Sequence, residues 1–289
     1  MTKIKTVLTY LATSDSPEGG YLSQREERDE QGNVCLLIQY NEGEGVELKN
    51  ERVFDNDNRL LEFKQYTYSD QPDQHISYEY TAAGQLEKEI IRYLDGSLST
   101  KTYVRNQADN SYEATTIDED GDLEAKEYRR LDSDGRTLEE RIYDEENELQ
   151  QETSTSYDDY GRPIKMIHRN DEGLEMVYLY EYVLNDEGNL TEVAITNDSG
   201  KVLRKESVIY DDRGNRADVQ IQDFEQGLAL TEHREYDQND KVVLHQRLSP
   251  DGSLLNEVKY TYREDGLLVE EENLSPRGAS IHSYEYSLW

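Results

Sequence analysis

The residue types most able to do chemistry at neutral pH are five histidines and one cysteine, and the chain does not gather them. His75, His168, His233, His245 and His282 share no ligand-like spacing, so they read as strand-surface residues. Cys35 lies inside Val34-Cys35-Leu36-Leu37-Ile38, where a small buried hydrophobe is expected before a nucleophile. As a lone cysteine it forms no intrachain disulfide and no zinc-type cluster, which suits a reduced, cytoplasmic setting. Asp118-Glu119-Asp120-Gly121-Asp122 and Asp132-Ser133-Asp134-Gly135 have the look of calcium loops, but neither continues into the ligand series that ends on a bidentate Glu. Gly43-Glu44-Gly45 is too isolated to cradle a phosphate, and neither a Walker A loop nor a His-Glu-x-x-His is present. No two of the 64 carboxylates stand out as a glycosidase pair. The expectation is a non-enzyme with no catalytic residue, no metal and no cofactor.

The acidic clusters make sense as turns. One series of turn residues runs Gly32, Asn58, Gly84, Asn110, Gly135, Gly161, Gly188, Gly214, Asp240 and Gly266, with spacings of 25 to 27 residues. A second runs Gly45, a weak member near Gln71, Gly96, Gly121, Asn147, Gly173, Gly200, Gly227, Gly252 and Gly278, so the two interleave about every 13 residues. Extrapolated back, the register lands on Gly19 in the Gly19-Gly20 pair. Gly, Asn and Asp are the residues that accept a left-handed backbone, and polar turn formers precede them, as in Pro250-Asp251-Gly252. Roughly nine residues remain between turns, which is a strand's length and too short for a helix with its own loops. Met176, Tyr178, Tyr180, Tyr182 and Leu184 alternate along one such strand.

The two series differ in what precedes them. Four residues before the first stand Phe54, Tyr80, Tyr157, Leu184, Tyr210, Tyr236 and Tyr262, with Leu131 also apolar and Arg28 and Asn106 the exceptions, and Tyr286 holds the same phase at the end. Before the second series Tyr143 is aromatic, while Arg92, Arg169, Thr196 and Asp223 take the place elsewhere. The unit is therefore a 26-residue pair of strands with an aromatic at one fixed corner. That corner is expected to stack from unit to unit and hold the array.

Tyr157-Asp158-Asp159-Tyr160-Gly161-Arg162, Tyr210-Asp211-Asp212-Arg213-Gly214-Asn215 and Tyr236-Asp237-Gln238-Asn239-Asp240 follow a Tyr-Asp-x-x-Gly-Arg form. This resembles the YD repeat of the Rhs family and its teneurin and insecticidal-toxin relatives, most strongly over residues 128 to 278. The resemblance implies a β-hairpin repeat fold, a long antiparallel sheet wound into a hollow shell, often around a toxin domain. The chain departs from that pattern in its longer period, in being short for a closed shell, and in having no toxin-like segment after the repeats.

The expected fold is all-β: a single continuous antiparallel sheet of about 20 strands built from 26-residue two-strand repeats, curled into a spiral, open shell or superhelix. A β-propeller is the alternative. Residues 1–289 are expected to form a single repeat domain, with 1–31 as N-terminal cap and irregular first repeat, 32–278 as regular repeats and 279–289 as C-terminal cap strand. Met1 reads as the start of a soluble protein, because Val7 to Ala12 is too short for a signal peptide and no later run would span a bilayer.

Charge sets the functional expectation. With 31 Lys and Arg against 64 Asp and Glu, the chain carries −33 at pH 7, which repels phosphate backbones and anionic membranes alike. The expected role is an acidic binding protein that captures a basic protein partner such as a toxin domain, as a monomer or weak oligomer with no nucleic acid and no membrane. In concrete form it is an immunity or chaperone-like protein of a bacterial Rhs or polymorphic toxin system, acting in toxin neutralisation. A structural shell or scaffold segment, and a carbohydrate-active enzyme or lectin on a propeller, are the alternatives. Tyr178, Tyr180, Tyr182, Tyr260 and Tyr262 are the expected binding cluster. Phe54, Tyr80, Tyr157, Tyr210, Tyr236, Tyr262 and Tyr286 are the expected structural corners.

Overall fold

The computed structural model describes residues 3–14 and 20–289, and the turn extrapolated to Gly19 lies outside them. Every regular element is a strand: β1 (Ile4–Thr13), β2 (Tyr21–Arg28), β3 (Val34–Tyr40), β4 (Val46–Phe54), β5 (Leu60–Tyr66), β6 (Gln74–Tyr80), β7 (Leu86–Tyr93), β8 (Leu98–Asn106), β9 (Ser111–Ile117), β10 (Leu123–Leu131) and β11 (Thr137–Tyr143). The series continues with β12 (Leu149–Tyr157), β13 (Pro163–Asn170), β14 (Glu175–Leu184), β15 (Leu190–Thr196), β16 (Val202–Tyr210), β17 (Arg216–Asp223), β18 (Leu228–Tyr236), β19 (Val242–Leu248), β20 (Leu254–Tyr262), β21 (Leu268–Ser275) and β22 (Gly278–Leu288). The strands fall where the turn spacing puts them.

Two compact units can be distinguished. Among the described residues the first contains 3–6, 25–177 and 288–289, and the second contains 7–14, 20–24 and 178–287. Within the first, β3 to β13 pair in chain order, each antiparallel to the next, as the short hairpins dictate. Within the second, β15 to β21 do the same.

The expectation of an open sheet is corrected by the first strand. β1 pairs with β2 on one side and with β22 on the other, so the strand order closes on itself as an antiparallel barrel of 22 strands among the described residues. The closure is visible within each unit. In the second, the Ser14 N–H donates to the Ala279 carbonyl at 3.1 Å and the Ser23 hydroxyl donates to the Thr9 carbonyl at 3.0 Å. In the first, the Trp289 N–H donates to the Lys3 carbonyl at 3.1 Å, and the Lys5 ammonium sits 4.6 Å from the Trp289 ring centroid. Spiral, open shell and superhelix would each leave two rows of unpaired backbone groups, and closure removes both. The propeller alternative falls for a related reason, since the strands form one continuous sheet and not separate four-stranded blades.

Burial is spread thin, as one layer of sheet requires. The buried apolar side chains are Ala114, Leu203, Val208, Val219 and Val258, and most strand residues are half-buried. Val208 stands directly opposite Val219 across β16 and β17.

Most turns are five-residue loops, and many are closed by the side chain of their first residue. Asp211 Oδ1 accepts the N–H groups of Arg213 at 2.9 Å and Asn215 at 2.8 Å, while the Asp211 N–H donates to the Asn215 carbonyl. Asn197 builds the same loop in the second series, accepting from Ser199 and Lys201. The fourth loop residue is left-handed, with φ of +61° at Asn58, +58° at Asn147 and +60° at Asp240. At Gly161, with φ +80°, a Cβ would also stand 2.2 Å from Nη1 of Arg136. The left-handed backbone favours glycine there, while the end of the flexible Arg136 side chain can shift to make room.

Candidate functional site

The corner residues are joined by hydroxyl pins more than by stacked rings. The Tyr80 hydroxyl donates to the Leu60 carbonyl at 2.8 Å, Tyr157 to Thr137 at 3.0 Å, Tyr210 to Leu190 at 2.7 Å, Tyr236 to Arg216 at 2.9 Å, Tyr262 to Val242 at 3.0 Å and Tyr286 to Leu268 at 2.7 Å. In each case the accepted carbonyl belongs to the residue just after the preceding first-series loop. Where that loop ends on a cation, the cation covers the same ring: Arg59 lies 5.2 Å from the Tyr80 centroid, Arg136 5.1 Å from Tyr157 and Lys241 4.7 Å from Tyr262. Arg59 and Arg136 also turn back onto Asp55 and Asp132, at 2.7 and 2.6 Å. Phe54 holds its corner without a hydroxyl, paired across the bulge with Leu60. In place of the expected stack, the corners carry hydroxyl and cation contacts to the preceding loop.

Of the expected binding cluster, Tyr178, Tyr180 and Tyr182 are half-buried on one face of β14, with Tyr180 opposite Ile195 and Tyr182 opposite Val193. Tyr260 is half-buried on β20 opposite Glu271. Burial first, and then the Glu271 charge, pushes its hydroxyl pKa upward. Tyr262 spends its hydroxyl on the Val242 carbonyl. Tyr260 and Tyr262 share one face of β20, and the β14 tyrosines share one face of β14.

Two charged networks escaped the reading of the sequence. On one face of β7 to β11, the Tyr103 hydroxyl donates to Glu89 at 2.5 Å, Lys101 Nζ lies 3.3 Å from Glu127, and Arg129 joins Glu127 to Glu140 at 2.5 Å each. The Tyr103 and Tyr112 rings lie 6.0 Å apart beside it. Burial, with Glu89 next to it, drives the Tyr103 hydroxyl pKa far up. Lys101 and Glu127 are 26 residues apart, one full period, and reach across a strand that offers the small Ala114 between them. The period itself was the signal that could have found this pair. On the opposite face Arg130, Glu139, Arg141, Glu152, Arg169 and Glu175 alternate in sign, with Arg141–Glu152 at 2.9 Å and Arg169–Glu152 at 2.8 Å.

The residues able to do chemistry remain scattered. His75 pairs with Glu62, diagonally across the strands, at 2.6 Å, while His233 pairs with Asp218 at 2.8 Å and His168 with the Thr153 hydroxyl at 3.2 Å, each directly opposite. Cys35 is half-buried with its Sγ 3.6 Å from the Asn33 carbonyl; burial and then Asp29 raise its pKa, the wrong direction for a nucleophile. Among the described residues no three His, Cys, Asp or Glu side chains are grouped to hold a metal ion.

The second-series turns are tied through the backbone, as where the Leu94 N–H donates to the Asp73 carbonyl at 3.1 Å and the Phe224 N–H to the Leu203 carbonyl at 2.8 Å. They leave Leu94, Leu174 and Phe224 more than half exposed. At the weak member near Gln71 the loop lengthens to Thr67–Asp73, and Tyr68, 77% exposed with φ +56°, takes the left-handed position.

No protein-family model matches the chain, and no curated protein matches it. Solved structures do. A crystal structure of TcdB2-TccC3 is similar at 15% identity and a TM-score of 0.38, covering 90% of this chain and 16% of that one. The Photorhabdus luminescens Tc holotoxin pore is similar at 13% identity and a TM-score of 0.38, covering 96% of this chain and 18% of that one. A porin-like protein from Bacteroides uniformis is similar at 10% identity and a TM-score of 0.31, covering 99% of both chains. The chain spans less than a fifth of the toxin chains that it matches.

Proposed function

We propose that this chain is a non-catalytic acidic binding protein that captures a basic protein partner, in its concrete form an immunity or chaperone-like protein of a bacterial Rhs or polymorphic toxin system. It would act in the cytoplasm, as a monomer or weak oligomer, without cofactor, nucleic acid or membrane. The observation that carries the reading is where the charges go. Lys and Arg are largely spent on ion pairs along the strands and loop ends, as in the Arg130-to-Glu175 ladder. Carboxylates in the turns, among them Glu119, Asp120, Glu145, Asp171, Glu172, Asp186 and Asp198, are exposed. Such a surface steers and holds a cationic protein, and its binding weakens with salt.

The charged pairs on both faces of β10 to β12 support leaving a membrane out, because a lipid-facing barrel needs one apolar face. Among the described residues no helix is long and apolar enough to cross a bilayer, which bears on helical spans alone. The Tyr-Asp-x-x-Gly form supports the Rhs connection.

The test is co-expression with a toxin encoded beside this protein, followed by pull-down and a growth assay. Capture and rescue of growth are expected, and failure of every neighbouring product to bind would sink the reading. A second reading, a shell or scaffold segment, is favoured by the closed strand order. Mass measurement in solution separates the two, since self-assembly into a defined large oligomer supports the scaffold.

A further inference from the structure

The 26-residue repeat fails at one hairpin, and a cavity stands beside the failure. Between β5 and β6 the usual five-residue loop is replaced by Thr67-Tyr68-Ser69-Asp70-Gln71-Pro72-Asp73. The loop is held at its base, where the Asp73 N–H donates to the Gln65 carbonyl at 2.8 Å and the Leu94 N–H donates to the Asp73 carbonyl at 3.1 Å. Inside, the Gln71 N–H donates to the Ser69 hydroxyl at 3.0 Å. A bulky residue at positive φ, as Tyr68 is, costs backbone energy that no packing of its own ring repays, since that ring faces solvent.

Val46, Lys49, Tyr66, Tyr68, Ser69 and Asp70 line a cavity of about 440 Å³ here. Lys49 does not make it cationic. Its ammonium lies 2.7 Å from Glu51 and 4.3 Å from the centroid of the Tyr66 ring. Glu51 also accepts the Tyr66 hydroxyl at 2.9 Å, and burial together with that carboxylate pushes the Tyr66 pKa up to about 12. Lys49, Glu51 and Tyr66 therefore satisfy one another. What remains for a ligand is the Tyr68 ring, the Ser69 hydroxyl and the Asp70 carboxylate. Asp73 adds a second negative charge at the end of the loop, with one buried carboxylate oxygen that has no partner. An open aromatic face next to a carboxylate is the chemistry that recognises an organic cation. A planar guanidinium meets both at once, stacking on the ring while its N–H groups fork onto the carboxylate.

We propose that this pocket is an anchor for an arginine side chain of a cationic protein. The proposal rests on the acidic-binder reading and gives that reading one specific contact. An ammonium satisfies the charge but not the stacking, so lysine is the weaker occupant.

Acetyl-arginine amide is the probe, titrated into the full chain by ligand-observed NMR beside acetyl-lysine amide and methyl glucoside. Tyr68→Ala and Asp70→Asn are the variants; both positions lie on an open loop, and unchanged melting temperatures would show that both fold. Arginine amide is expected to bind best, with each variant weakening it roughly three- to fivefold. Arginine amide binding that ignores both variants, or a preference for the glucoside, overturns the pocket. A cationic protein captured equally by wild type and Tyr68→Ala overturns the pocket and leaves the acidic binder standing. Arginine amide binding that the variants weaken, with no cationic protein captured at any salt concentration, upholds the pocket and removes the wider reading.

Discussion

The turns that follow the corner aromatics and the turns that alternate with them are made from the same loop and are linked to their neighbours in different ways. Asp211 in the first series and Asn197 in the second close their loops with the same pair of backbone N–H groups. Both series reach sideways, the second through backbone contacts such as Leu94 N–H to the Asp73 carbonyl at 3.1 Å and Phe224 N–H to the Leu203 carbonyl at 2.8 Å, the first through side chains. The tyrosines of the first bind the carbonyl beside the previous loop, and its loop ends touch the next loop, as where the Asn33 amide donates to Asn58 at 2.8 Å and the Asn215 amide donates to Asp240 at 2.9 Å. The second series carries exposed Leu94, Leu174 and Phe224 and the irregular Tyr68 loop. Linkage by tyrosine hydroxyls therefore belongs to the first series, while the second links its repeats through the backbone. The pocket lies beside the irregular Tyr68 turn of the second series, which has no tyrosine pin.

The largest test of this contrast removes a pin. Tyr210→Ala is expected to cost about 2–3 kcal/mol in chemical denaturation, because it deletes a half-buried ring together with its hydrogen bond. Phe224→Ala in the second series is expected to stay within about 0.5 kcal/mol of wild type. Equal losses would break the comparison. Removing the hydroxyl alone sharpens it: Tyr157→Phe and Tyr210→Phe are each expected to lose about 1 kcal/mol, since each leaves a strand-end carbonyl without its donor.

Titration offers two smaller effects. The Arg59 N–H, the Asn215 N–H and the Lys241 N–H hold Asp55, Asp211 and Asp237 below the usual carboxylate range, and the Ser249 hydroxyl and then the Ser253 N–H hold Asp251 at about 2. A depressed folded pKa means stability present above pH about 4 and lost as the pH falls through the folded values. Circular dichroism between pH 4 and pH 2 should show that loss, and Asp251→Asn should reduce it. At the alkaline end Tyr66 and Tyr284 are raised from 10.0 to about 12, in both cases chiefly by burial. Stability they share is intact below pH 10 and lost as the pH rises towards 12, and Tyr66→Phe should make that limb shallower. An alkaline limb that Tyr66→Phe leaves unchanged would contradict the Glu51 contact.

Much of this was legible in the residues. Gly161, Asn58 and Asp240 announce left-handed positions because few other residues accept them, and Tyr-Asp-x-x-Gly announces a corner because the aspartate closes the loop. The site was less legible. Tyr178, Tyr180 and Tyr182 drew attention by alternating, yet alternation marks any residue on one face of a strand. Tyr68 was visible only as a missing turn near Gln71, since a pattern records where it fails but not what the failure builds. The Glu89, Tyr103 and Arg129 network needed the register of β7 to β11, which depends on every bulge between them.

The sequence by itself determined the strands, their antiparallel order and the 26-residue unit, because short hairpins and left-handed turn residues are local interactions. It also determined the acidity of the surface. Tertiary structure alone decided that β1 joins β22, because that pairing links segments more than 260 residues apart, with no turn to enforce it. What selects it is the cost of leaving backbone donors and acceptors unpaired on two sheet edges, a quantity that exists only once all the strands have assembled.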